Sequence, residues 1–327
     1  MLNFIKRLRK PSVADVLRVA ADIRPSAIPF ILFKALFRYP LYSIVLLLFV
    51  RNSRDLFELF LYRGRVKEIE CRFGLGRFRL NINYAFLLSE LILRRIYCYN
   101  VVGKVLAYFH SGYISMPSIN YATELTVSFE KIYRSFDFIG RVLDVNGYCG
   151  ETAFLFKKWG ATEVVVYEPN HTLVQHTRET LLLNRIKGVV HELFVNASDS
   201  DITICWAKVL EDGFKVAKVD CEGCENYLLN LSDEQLRKVP NWVIECHSTH
   251  ITKRLCEKFL RAGFTVLIKP YYWSVGYDRV GCETVFHSQS KIPENLLLIM
   301  IARLLSSIYE HKHKHHLSIL SMVEQIL

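Results

Sequence analysis

Three carboxylates stand where apolar runs end, and a glycine-bearing turn follows the first of them. Asp144 closes the run around Val142-Leu143 and leads into Asn146-Gly147, with Gly150 opening a helical pattern. That order reads as strand, phosphate-loop-like turn, helix. Gly147 and Gly150 allow close approach of a ligand, and Asn146 tolerates the left-handed backbone that most side chains resist. Glu168 ends the next strand-like run, where a carboxylate can accept two hydrogen bonds from a ribose diol. Asp220 ends a third run, Lys218-Val219-Asp220, and Glu222 follows it. His247 ends the strand-like run after that one. The chemistry these types allow is binding of a nucleotide-type cofactor, with Asp220, Glu222 and His247 as candidates to remove a proton from an acceptor. Glu225 falls in the first turn of a helix, where an acid favours the dipole, and the spacing gives it no further role.

Positioning these residues takes an alternation of strands and helices. The pattern predicts strands at 141–145, 163–168, 189–195, 214–220, 241–247, 263–269 and 282–287. It predicts helices near 150–159, 172–185, 223–231 and 251–262, which fit right-handed crossovers. No comparable helix separates the third and fourth strands, and Asp201 to Ala207 reads as a short extra strand. Upstream, Ile69, Cys71 and Phe73, then Phe78, Leu80 and Ile82, alternate about Gly74-Leu75-Gly76, a β-hairpin signature. Ala85 to Tyr97 and Ala122 to Phe136 read as helices, as does Asn295 to Ile308 near the end.

The ordered set V-L-D-V-x-G-x-x-G-x-T-A, V-V-V-Y-E-P-N, K-V-D-C-E-G-C-E and V-I-E-C-H resembles the FkbM-type family of S-adenosylmethionine-dependent methyltransferases over residues 137–290. The resemblance implies an α/β fold, the Rossmann-like class I methyltransferase sheet of seven mostly parallel strands with helices on both faces. It implies S-adenosyl-L-methionine as cofactor. Asp144, Asn146, Gly147 and Gly150 would then line the methionine end, and Glu168 would hold the ribose. Asn196, Ala197 and Ser198 would sit near the adenine, while Asp220 and Glu222 would face the methyl group and the acceptor. The family has glycine at Asn146 and commonly alanine at Gly147, so the two residues exchange jobs in the turn. The implied activity is O-methylation of a glycan, a lipid-linked sugar or another small hydroxylated metabolite.

Other readings start from the same residues. A nicotinamide dinucleotide needs glycines spaced G-x-G-x-x-G, which Asn146-Gly147-Tyr148-Cys149-Gly150 lacks. Cys221 and Cys224, with Cys246 and His247, have zinc-ligand types, but the flanking glutamates fit the methyltransferase motif without an ion, so no metal is expected. From a different class comes a non-catalytic, membrane-associated protein that retains the fold.

The 327 residues carry a formal charge of +10, and 51% of them are hydrophobic, enough for a sizeable core. Up to Arg65, twelve Lys and Arg face four acids, so most of the surplus lies there. Residues 1–65 read as a basic, apolar helical segment, with an amphipathic helix after Ser12 and an apolar stretch from Ala27 to Val50. That stretch is broken by Lys34, Arg38 and Pro40. It reads as a span, an interfacial helix or a buried hairpin, since about twenty apolar residues are needed to cross a bilayer. Charges flanking aliphatic runs suit an anionic membrane surface, and no nucleic acid is expected. Residues 66–136 form an accessory hairpin-and-helix region, 137–290 the methyltransferase domain, and 291–327 a helix and a His/Lys-rich tail. Nine cysteines with no secretory signal imply reduced, mostly buried thiols in a cytoplasmic protein.

Overall fold

A computed structural model of the chain describes residues 40–61, 65–126, 133–134, 137–275 and 278–288. The amphipathic helix after Ser12, most of Ala27–Val50, the helix Asn295–Ile308 and the tail lie outside the described residues. So does most of the second half of Ala122–Phe136. Among the described residues no helix is long and apolar enough to cross a membrane.

The chain begins with α1 (Pro40–Phe49) and α2 (Ser53–Leu61), then the antiparallel hairpin β1 (Lys67–Cys71) and β2 (Gly76–Leu80). Next is α3 (Ile82–Leu93), with Asn81 accepting the Tyr84 N–H as its N-cap. Then β3 (Tyr97–Val101), β4 (Lys104–Phe109) and β5 (Gly112–Met116) form a three-stranded antiparallel sheet. The sequence reading missed this sheet and ran a helix through Tyr97. A 3-10 helix, Ile119–Thr126, follows.

The main sheet starts with β6 (Gly140–Val145), α4 (Glu151–Lys158), β7 (Ala161–Tyr167), α5 (His171–Leu183) and β8 (Gly188–His191). A separate two-stranded pair, β9 (Phe194–Asn196) and β10 (Thr203–Cys205), takes the place of a long crossover. β11 (Val216–Val219) leads through the 3-10 helix Cys224–Asn230 and α6 (Asp233–Arg237) to β12 (Asn241–Cys246) and α7 (Thr249–Arg261). The hairpin β13 (Thr265–Val275) and β14 (Asp278–Ser288) closes the sheet. Its order is β13-β14-β12-β11-β6-β7-β8. The strands from β12 through β8 run parallel, and β14 runs antiparallel to both its neighbours. This is the α/β, largely parallel arrangement that the resemblance implies.

Order and register place the site. After β8 the chain returns to the other side of β6, so the ends of β6 and β11 flank a topological switch point, where α/β sheets bind ligands. Because strand side chains alternate between faces, Val142, Val164, Val216 and Val243 fall on one face and Leu143, Val165, Ala217 and Ile244 on the other. The first face packs in one continuous core with Leu46, Leu56, Ile69, Leu88 and Ile114 of the upstream region. Asp144, Glu168, Lys218, Asp220, Glu245 and His247 follow the same two-residue period. They therefore emerge on the face that the upstream region covers.

The cysteines depart from expectation in one place. Cys221 and Cys224 form a disulfide, while Cys71, Cys98, Cys149, Cys246 and Cys256 are buried free thiols.

Candidate active site

Asp144 and Lys218 face each other across the parallel β6–β11 pair. Both are buried, with Lys218 Nζ 3.2 Å from Asp144 Oδ1. The same ammonium donates to the carbonyls of Asn146 (2.8 Å) and Val145 (3.3 Å) and lies 3.7 Å from Asp220 Oδ2. Thr152 donates to Asp144 Oδ2 at 2.6 Å. Burial alone would lower the Lys218 pKa, but Asp144, Asp220 and Glu151 together hold it above its ordinary value. Lys218 thus joins the ends of two strands to the turn after the first.

The turn is built as expected in its backbone and differently in its surroundings. Asn146 sits at φ 62° and Gly150 at φ 83°. At Gly150 the positive φ favours glycine, and a Cβ would also press on Thr180 and Thr177 at 3.2–3.3 Å. A Cβ on Gly147 would collide with Val166 Cγ1 at 2.2 Å. What approaches these glycines in the structure is the protein's own packing. Thr177 and Thr180 donate to the carbonyls of Tyr148 and Cys149. Glu168 is buried. Its Oε2 accepts the Tyr148 N–H at 3.0 Å and its Oε1 the Asn170 N–H at 2.9 Å. Burial raises its pKa, and these two N–H groups oppose the rise. Each oxygen accepts one N–H and keeps a lone pair.

A second group of charged side chains lies at and beyond Asp220. Asp220 and His247 are partly buried, and the Glu222 side chain is 77% exposed. His247 Nε2 lies 3.4 Å from Glu222 Oε1 and 3.8 Å from Asp220 Oδ1, and Nδ1 lies 3.5 Å from Oε1 of buried Glu225. The structure therefore brings the three expected catalytic residues together. Glu225, which the sequence reading left as a helix-dipole residue, fixes the ring's other side. The Glu225 carboxylate beside Nδ1, opposed by burial and helped by Glu222 and Asp220, raises the His247 pKa to about 9. Burial would raise the Glu225 pKa, but His247 and the Gly223 N–H bring it below its ordinary value. In the absence of a metal ion, a pKa of about 9 makes His247 an imidazolium at neutral pH. Asn196, Ala197 and Ser198 lie at the β9–β10 connection. Asn196 Oδ1 accepts the Ala197 N–H, and Thr203 Oγ1 donates to the Ser198 carbonyl.

Four further residues complete the group. Glu245 is level with Asp220, one position past the Val219–Ile244 pair. The buried Tyr133 phenol reaches Glu245 Oε2 at 3.0 Å and Asp220 Oδ2 at 3.2 Å. Glu124, on the 3-10 helix Ile119–Thr126, is pushed up to about 7 by burial and by the charges of Asp220 and Glu245. Lys218 is the fourth. Lys218 and Glu245 had a signal in the sequence, being charged residues within apolar strand runs. Glu124 and Tyr133 had none, because only the fold brings them here.

No protein-family model matches the chain, and no curated protein matches it. The FkbM-type resemblance therefore rests on the motifs alone. Among solved structures the chain is similar to TYW2 of M. jannaschii in complex with AdoMet, at 12% identity and TM-score 0.37, covering 58% of this chain and 89% of that one. It is similar to precorrin-6y C5,15-methyltransferase from Geobacter metallireducens GS-15, at 11% identity and TM-score 0.35, covering 46% and 82%. It is also similar to an rRNA methylase from Streptococcus thermophilus, at 10% identity and TM-score 0.35, covering 51% and 96%. Likeness at this level decides nothing about the reaction of this chain. It does remove one expectation: with an rRNA methylase among the similar structures, the exclusion of nucleic acid as a partner is withdrawn.

Proposed function

We propose that the protein is a methyltransferase that uses S-adenosyl-L-methionine to methylate a hydroxylated acceptor. The observation that carries this reading is the convergence of Asp144, Glu168 and Asp220 at one edge of a parallel sheet, beside the Asn146–Gly150 turn and at the switch point. The donor set suits the cofactor: a sulfonium and an ammonium are cations, and Glu124, Asp220, Glu222 and Glu245 are acids gathered near the turn. When bound, the cofactor supplies an electrophilic methyl group. In this reading the turn carries the methionine end, Glu168 shares its carboxylate with the ribose, and Asn196 to Ser198 border the adenine.

The residues beyond Asp220 orient the acceptor and manage its proton. An imidazolium at His247 donates to an acceptor oxygen rather than taking a proton from it at neutral pH. Glu124, with its pKa near 7, is suited to be the base at that pH. Glycans, lipid-linked sugars and small metabolites all carry suitable hydroxyls, and an RNA ribose does as well.

The full burial of Asp144 and Glu168 favours a second reading, a fold retained without a working cofactor site. Calorimetric titration with S-adenosyl-L-methionine, with NAD as control, separates the two. Binding of the first alone supports the enzyme, and an acceptor screen with carbohydrate and RNA arms then follows. Absence of binding to both ligands would end the cofactor assignment.

A further inference from the structure

We infer that Asp220 Oδ1, Glu222 Oε1 and His247 Nε2 form a binding site for a divalent transition-metal ion. These three donor atoms lie within 4.8 Å of one another. Nε2 is 3.4 Å from the glutamate oxygen and 3.8 Å from the aspartate oxygen. An ion about 2.0–2.2 Å from imidazole nitrogen and carboxylate oxygen holds such ligands roughly 3–3.5 Å apart. The histidine nitrogen is therefore within a few tenths of an ångström of that spacing from each carboxylate oxygen, and the exposed Glu222 side chain can turn to bring the two oxygens together.

The supports around them are those of a metal-binding histidine. A histidine ligand keeps its second nitrogen against a carboxylate, which sets the ring's orientation. Here His247 Nδ1 faces buried Glu225, and Glu225 is itself held by the Gly223 N–H at 2.8 Å. Asp220 is oriented in the same way. Its Oδ2 is taken by Lys218 and Tyr133, which leaves Oδ1 for the cluster. Glu222 sits at φ 53° inside the loop that the Cys221–Cys224 disulfide closes. Its exposed side chain leaves the remaining coordination positions open to solvent and to an incoming ligand.

Two carboxylate oxygens and one neutral imidazole nitrogen suit Mn(II) or Zn(II), since imidazole is a poor partner for Mg(II) or Ca(II), and the ion takes the place of the Nε2 proton, which is released to solvent on binding. The thiolate alternative is removed by the disulfide. The ion would lie on the acceptor side of the proposed reaction. Its binding does not require the cofactor, so it can be tested whether or not that reading holds.

The test uses the full chain with His311, His313, His315 and His316 replaced by alanine, so that the tail histidines do not compete for metal. MnCl2 and ZnCl2 are titrated by calorimetry, with Mn(II) binding also followed by electron paramagnetic resonance and MgCl2 as the comparison. The expected result is one Mn(II) or Zn(II) per chain, held more tightly than Mg(II). Glu222→Gln and His247→Gln should each weaken it by about tenfold or more. Glu222 is exposed, so its variant keeps the fold, and a thermal unfolding curve of each variant checks this. Absence of a stoichiometric ion, or equal affinity in the parent and Glu222→Gln, overturns the site. Titration of the same chain with S-adenosyl-L-methionine in a metal chelator reports on the cofactor reading separately.

Discussion

Lys218 shows how one side chain decides the stability of the site. A buried ammonium is tolerated here because Asp144, Asp220 and two carbonyls surround it. Removing one partner of such a pair strands the other charge and costs about 3–5 kcal/mol. Lys218→Met should therefore lower the urea-unfolding free energy by that order, and a loss below about 1 kcal/mol would show that the Lys218–Asp144 pair contributes little net stability. His247 gives a pH dependence whose sign follows from linkage. Its pKa rises from an ordinary 6.5 to about 9 on folding. The stabilisation is complete below pH 6.5 and is lost as pH climbs through 9. In chelator, the thermal midpoint of the protein should fall between pH 6.5 and 9.5 more steeply than that of His247→Gln. Parallel curves would mean that Glu225 does not hold the imidazolium. Asp144, Glu168, Asp220 and His247 were legible because a polar residue at the end of an apolar run is a local signal. The partners that hold Asp144 and Glu168, namely Thr152, the Tyr148 and Asn170 N–H groups and the Lys218 ammonium, were not, because such partners depend on register and turn shape.

Legibility changes at the scale of elements. β6, β7, β11 and β12 were readable as apolar runs bounded by helical patterns, and their observed limits fall within about two residues of expectation. β3, β4 and β5 were not. Their turns at Val102-Gly103 and His110-Ser111 lack the Asn-Gly type of hairpin marker. The Tyr97–Tyr99 run is buried at every position, so no alternation announced a strand. His110 and Ser111 both take positive φ, 44° and 74°, without being glycine. This overlooked sheet docks on the helix that supports the Asn146–Gly150 turn. Asn184 Oδ1 accepts the Tyr113 N–H at 2.9 Å, and its Nδ2 donates to the Tyr113 carbonyl at 2.7 Å. Ser115 N–H reaches Thr180 Oγ1, which in turn holds the Cys149 carbonyl. Asn184→Ala leaves the Tyr113 backbone pair unsatisfied at a packed seam, at a cost of about 1–3 kcal/mol. Equilibrium denaturation should show that loss. An unchanged midpoint would place water, rather than Asn184, as the working partner of Tyr113.

At the scale of the whole molecule, the sequence drew a boundary at residue 137, but one continuous hydrophobic core passes through it. Val45, Leu56, Ile69, Leu88 and Ile114 share that core with Val142, Phe156, Val164 and Val243. Phe138 stacks on Phe156 with ring centroids 4.6 Å apart, beside Trp159. The upstream region also supplies Tyr133 and Glu124 to the acids at the sheet edge, so the group is finished by residues that lie outside the strand-end motifs. Such sharing has a thermodynamic consequence. A region with its own core opens with its own free energy, whereas a region whose apolar face is buried only by its neighbour opens together with it. Hydrogen exchange of the full chain in graded denaturant reads this directly. The amides of β4 and those of β7 should converge on the same opening free energy and the same denaturant dependence. If β4 loses protection at clearly lower denaturant while β7 stays closed, the upstream region is a separately folding unit. Glu124 would then reach the site only as a docked neighbour, and the site's acidity would depend on that docking.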